Sequence, residues 1–95
     1  MRPVWTALAL ADLASIRAYI AEQDRGAAKR VVLRILYCVD TLLPQSPEMG
    51  RPGRVSGTRE LVVTGTPFIV PYRVRGETIQ VLRVYHGAQR WPDKF

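Results

Sequence analysis

The chain has 95 residues, with fourteen Lys or Arg against eight Asp or Glu, a net charge of +6. That length predicts one domain with no room for a second core, and an apolar share of 47% excludes a disordered chain. The single cysteine, Cys38, excludes an internal disulfide framework and fits a reducing compartment. No CxxC or His/Cys cluster is present to hold a metal.

The charge is lopsided. Residues 1–50 hold six basic and five acidic groups, while residues 51–95 hold eight basic and three acidic. The excess in the second half predicts a polyanionic or acidic partner, with solubility as the plainer alternative. No run approaches the roughly 18 apolar residues of a membrane span. Val4 to Ala14 resembles a signal core behind Arg2, but Asp12 interrupts it and the apolar spacing continues to Ile20 at helical period. It is therefore read as structure.

In chain order, Arg2 to Thr6 is expected to form an edge strand, because Pro3 cannot donate to a ladder. Thr6 is a helix cap. From Ala7 to Gln23 the set Ala9, Leu13, Ile16 and Ile20 falls on one helical face. Asp24 caps a second helix running to Leu43 and ended by Pro44. Its core stripe is Ala28, Val32, Ile35 and Val39, widened by Val31, Leu36, Leu42 and Leu43. The near-zero connection requires an antiparallel helix hairpin.

Gln45 to Gly57, rich in Pro and Gly, is a loop exposing Arg51 and Arg54 as solvated charges. Thr58–Val63 reads as a strand, and Arg59 is placed to pair with Glu60 or Asp93 or to touch a target. After a Thr64–Pro67 turn comes a hairpin of two β-rich runs, Phe68–Arg75 and Thr78–His86, around Gly76-Glu77. Alternation directs Phe68, Val70, Tyr72, Val74, Leu82 and Val84 inward. It gathers Arg73, Arg75, Arg83 and Tyr85 on the other face. The order β-α-α-β-β-β predicts an α+β fold, with the helix hairpin packed on one face of an antiparallel sheet. The place of the first strand in the sheet is not readable from spacing.

A set of segments spanning nearly the whole sequence carries a family resemblance. They are Ala11-Asp12-Leu13 with Ile16 and Tyr19-Ile20, then Ala27-Ala28 with Arg30, then Gly50-Arg51-Pro52-Gly53-Arg54 and Gly57-Thr58-Arg59-Glu60-Leu61-Val62. Tyr72-Arg73-Val74, Leu82-Arg83-Val84 and His86-Gly87-Ala88 through Arg90-Trp91-Pro92 complete it. In that order they resemble the RelE/ParE superfamily of type II toxin–antitoxin toxins, nearer the ParE branch. Arg25 stands where this group often has proline, and Cys38 where a neutral surface residue is expected. The resemblance implies a bacterial cytoplasmic toxin without cofactor, neutralised by and assembled with a cognate antitoxin. It implies a target that is DNA gyrase for ParE-like members, or ribosome and mRNA for the RNA-cleaving members.

RNA cleavage by 2′-hydroxyl attack needs a base, an acid and positive charge near the phosphate. Arg73, Arg83, Tyr85, His86 and Arg90 are the candidates for it. With one histidine there is no two-histidine pair, and arginine is too basic to shuttle protons. The set is better equipped to grip than to turn over. The expected target-binding surface is accordingly Arg73, Arg75, Arg83, His86, Arg90 and Trp91, with Trp91 as anchor. His86 positioning the strand end, and Trp91 packing on the sheet, are the plainer readings of those two residues. Leu33, Tyr37 and Leu43 are the expected antitoxin contacts. A basic binding module without toxicity is the third reading.

Overall fold

The computed structural model describes residues 1–95. The elements are β1 (Arg2–Trp5), α1 (Ala7–Ala21), α2 (Arg25–Tyr37), a π-helical turn at Cys38–Leu42, and α3 (Leu43–Gln45). Then come β2 (Arg51–Pro52), β3 (Arg59–Val62), β4 (Phe68–Arg75), β5 (Thr78–Val81) and β6 (Tyr85–His86). The strands form one six-stranded sheet in the order β1-β5-β4-β3-β2, with β6 also paired to β4. The expected α+β architecture is present, but the sheet is mixed, because β1 runs parallel to β5 with Arg2 opposite Thr78 and Trp5 opposite Val81.

The edge position of β1 follows from its proline. The amides of Arg2 and Thr6 donate to Glu77 and Val81. By ladder alternation residue 3 points away from β5, where a missing N–H costs nothing. Thr6 then caps α1. Its hydroxyl accepts from the Ala9 amide at 3.1 Å and donates to the Leu82 carbonyl at 2.9 Å. That carbonyl is free for a reason. Leu82 donates to Pro71 O, but proline has no N–H to return the bond, so Thr6 takes the vacant acceptor.

Asp24 caps α2 as expected, its Oδ1 accepting from the Ala27 amide at 3.0 Å. Helical geometry does not stop at Pro44. It widens into the π turn, with Leu43 N bonded to Cys38 O, and runs to Gln45. Pro44 sits in the first turn of α3, where its absent amide is tolerated. Trp5 Nε1 donates to Asp40 at 3.0 Å, tying this extension to β1.

The helix-facing core contains Ala9, Leu13, Ile35, Val39, Leu43, Val70, Tyr72, Ile79 and Val81. Burying each large apolar side chain contributes about 2 kcal/mol. Leu43, expected as a partner contact, is a correction: four residues after Val39, it falls on the buried stripe and has no exposed surface. The Gly76 turn is as expected, with positive φ (58°) between paired Arg75 and Thr78.

The second correction concerns the last strand. Arg75 pairs with Thr78 and Tyr72 with Val81, yet Ile69 pairs with Tyr85 and Phe68 with His86. One extra residue lies between these registers, so Arg83 and Val84 together oppose Val70: a β-bulge. It lets Val81 and Val84 both face the helices, so Leu82, expected inward by alternation, lies on the outer face while Val84 keeps its expected side.

Candidate functional site

The outer face of the sheet is not a bare field of arginines. Val55, Ile69, Leu82 and Tyr85 are buried outside the helix-facing core. The closing tail lies against Tyr85, with Trp91 4.9 Å from its ring and Phe95 at 6.3 Å. The Arg54 guanidinium lies 4.0 Å over Trp91, a cation–π contact. Glu60, on this face, is 2% exposed. Its Oε1 accepts from Arg51 Nε and Nη2 at 3.1 and 3.0 Å, and its Oε2 from the Arg54 amide at 2.8 Å. The Arg54 side chain completes the ion pair at 3.4 Å. Arg51 and Arg54, expected as solvated charges, thus neutralise a buried carboxylate that would otherwise be untenable. Arg59 pairs with neither Glu60 nor Asp93. It donates to the carbonyls of Glu48 and Gly50, at 3.2 and 2.9 Å.

Arg83 is likewise committed. Asp12 of α1 accepts from its Nε at 2.7 Å and its Nη2 at 2.9 Å, and from the Val84 amide at 2.9 Å. The bulge frees that amide from the ladder. The bidentate bond to Asp12 pushes the Arg83 pKa further up, outweighing its partial burial. The guanidinium also lies 4.8 Å over the Tyr85 ring. Burial raises the Tyr85 phenol above its ordinary value, and the Arg83 charge only partly offsets this. Such a phenol does not supply a base at neutral pH.

His86 lies on the helix-facing side, across from Phe68, with its ring edge-on to that phenyl at 5.8 Å. Its Nδ1 accepts from the Ala88 amide at 3.1 Å, and its own amide donates to Gln89 Oε1 at 3.2 Å. It borders a groove of about 650 Å³ with Ile16, Tyr19, Ile20, Val31 and Phe68. Of the six expected target-binding residues, Arg75, His86 and Arg90 are exposed and Arg73, Arg83 and Trp91 half-buried. Arg73 Nε and Trp91 Nε1 are buried without a hydrogen-bond partner. The structure therefore groups Arg73, Arg75 and Trp91 with the outer face, separates His86 from them, and pins Arg83 at the edge. The Arg51–Glu60–Arg54 cluster was missed; Glu60 between two arginine-bearing segments was its only signal.

Leu33 and Tyr37 are 54% and 48% exposed, one turn apart on α2. No helix is long and apolar enough to cross a membrane.

Comparison with known proteins agrees with this architecture. The chain is 48% identical over 89 residues to the candidate toxin Y4kP of Sinorhizobium fredii, covering 94% of this chain and 91% of that protein. It is 40% identical over 86 residues to toxin RelE2 of Caulobacter vibrioides, covering 90% and 94%. Among solved structures, a chain of the chromosomal ParDE toxin–antitoxin system of P. aeruginosa superposes with a TM-score of 0.74 at 33% identity, covering 90% of this chain and 95% of that one. A chain of the RelBE2 toxin–antitoxin complex of Mycobacterium tuberculosis shares the fold, with a TM-score of 0.69 at 24% identity over 93% and 92%. The family model described as the ParE toxin of the type II toxin–antitoxin system parDE matches residues 4–91, and the chain belongs to that family.

Proposed function

We propose that this toxin acts in the cytoplasm by binding DNA gyrase rather than by cleaving RNA, and that it is held silent in a complex with its antitoxin. The observation that carries the reading is the separation of the groups a nuclease must bring together. Arg73 and Arg75 lie on the outer face, and the histidine lies on the opposite side of the sheet with Nδ1 engaged. Tyr85, the tyrosine among the catalytic candidates, is buried and harder to ionise. Proton transfer to and from a reacting phosphate needs acid and base within reach of one atom. Gripping a target needs only charge and a firm platform, which Arg73, Arg75, Arg90 and the packed Trp91 supply. The basic charge of the chain favours an acidic antitoxin segment, with Leu33 and Tyr37 as its apolar contacts on α2.

The test is direct. Purified toxin should block gyrase supercoiling and leave mRNA on translating ribosomes intact. Ribosome-dependent cleavage with unimpaired supercoiling would reverse the assignment.

A further inference from the structure

The ion pairs of the molecule use Glu60 and Asp12 to neutralise Arg51, Arg54 and Arg83. Arg59, Arg73, Arg75, Arg90 and Lys94 make none, so the second half of the chain keeps free positive charge. Arg59 is occupied by the carbonyls of Glu48 and Gly50. Arg73 is not held in this way, and its Nε is buried without a hydrogen-bond partner.

The sheet register adds a cation from the far end of the chain. Tyr72, Ile79 and Val81 face the helices, so Arg73, Arg75, Thr78 and Gln80 point to the outer face. Parallel pairing sets Arg2 beside Thr78 and Val4 beside Gln80. On the other side of β5, Thr78 lies beside Arg75 and Gln80 beside Arg73. Two rows therefore cross β1, β5 and β4: Arg2, Thr78, Arg75 and Val4, Gln80, Arg73. Neither row contains a carboxylate. Glu77, in the adjoining turn, is exposed and pairs with none of these cations. Ideal sheet geometry separates Arg73 from Arg75 by about 6.8 Å along the strand, and Arg2 from Arg75 by about 10 Å across it.

We propose that Arg2, Arg73 and Arg75 form a three-point site for a phosphodiester backbone, so that the toxin holds the DNA that gyrase carries as well as gyrase itself. Guanidinium forks match phosphate oxygens in shape and charge. Cations repeated at the two-residue interval of a strand suit a polymer whose charge also repeats. Thr78 and Gln80 place uncharged hydrogen-bonding groups between them, of the kind that position a nucleic-acid backbone. The three main cavities are lined by other residues, so these rows give the anchor side chain of an acidic peptide no pocket to fill. The site deepens the gyrase reading and rests on it for the source of the DNA.

The test is fluorescence anisotropy of a labelled mixed-sequence duplex titrated with the full chain, from about 50 to about 200 mM salt. A parallel assay measures block of gyrase supercoiling. Three neutralised phosphates give a log–log salt slope of about −2.7. Arg2→Ala and Arg75→Ala should each weaken binding severalfold whatever the sequence, and each take about 0.9 off the magnitude of the slope. Both side chains are exposed and outside any ion pair, so melting curves should stay unchanged. Lys29→Ala removes the same charge from α2, in the helix layer, and should bind as wild type. Equal losses from Lys29→Ala and Arg2→Ala reduce the binding to diffuse charge and overturn the site. A wild type that ignores the duplex yet blocks supercoiling also overturns it and leaves the gyrase reading standing. Duplex binding as expected with supercoiling unimpaired keeps the site and overturns the gyrase reading. Displacement of the duplex by less single-stranded RNA than unlabelled duplex, at equal phosphate, overturns DNA as the source of the backbone.

Discussion

Asp12 and Arg83, 71 residues apart, form a two-point ion pair at 2.7 and 2.9 Å between the second turn of α1 and the bulge that separates β5 from β6. The same carboxylate takes the Val84 amide. One side chain thus fixes the helix layer to the sheet and decides where the strand breaks. Asp12→Ala should destabilise the toxin by about 2–3 kcal/mol, since three bonds to a carboxylate are lost and a bulge amide is left unpaired. Asp12→Asn, which can still accept from Val84, should lose less. Urea denaturation followed by tryptophan fluorescence measures both.

Thr6 offers a second test. Its hydroxyl serves as helix cap and as donor to the carbonyl that Pro71 leaves unmet. Thr6→Val, nearly isosteric, should cost about 1–2 kcal/mol, and Thr6→Ser should stay close to wild type. Thermal unfolding ranks the three, and an unchanged midpoint in Thr6→Val would contradict the double role.

Glu60→Ala should leave Arg51 and Arg54 without their shared acceptor and release the loop that lies against Trp91. We expect a loss of about 2 kcal/mol, below the cost of stripping a fully buried pair because both arginines remain partly hydrated. Amide exchange at Arg54, whose N–H donates to Glu60, should accelerate more than exchange in α1.

The two buried phenols set a pH limit. Burial is the largest cause raising both Tyr72 and Tyr85 above the ordinary tyrosine value. Each keeps its proton more tightly folded than unfolded, so its contribution to stability is whole below about pH 10. It is lost as pH rises through the folded values. The melting temperature should fall above about pH 10, and the fall should be smaller in Tyr85→Phe.

Arg75 and Arg90 are exposed and make no ion pair. Replacing both with alanine should leave stability within about 0.5 kcal/mol while sharply reducing growth arrest and gyrase inhibition. Full toxicity of a folded double variant would remove them from the target surface.

The helix hairpin, both caps and both tight turns of the sheet were legible because each has a local cause: period, a capping oxygen, a glycine with positive φ. The bulge was not. Alternation from Phe68 gives Leu82 and Tyr85 definite sides, and nothing in Val81-Leu82-Arg83-Val84 announces an added residue. Its stabilising partner, Asp12, lies on another element. One added residue was enough to put Leu82 on the outer face while Val81 and Val84 both face the helices. The charge map failed for a related reason. Counting arginines by segment is sound, but whether Glu60 or Asp12 cancels them depends on contacts between segments. The site residues remain legible only as chemistry; their grouping is a property of the folded sheet.

The parallel pairing of Arg2–Trp5 with Thr78–Val81 also has a bearing on timing. Strand β1 is synthesised before β5 and must wait for it before it has a neighbour. Pairings this distant are formed late, after the entropy of closing a long loop is met. A nascent toxin of this fold therefore has no finished sheet until β5 has been made. That delay leaves an interval in which an antitoxin made alongside it can arrive before the harm does.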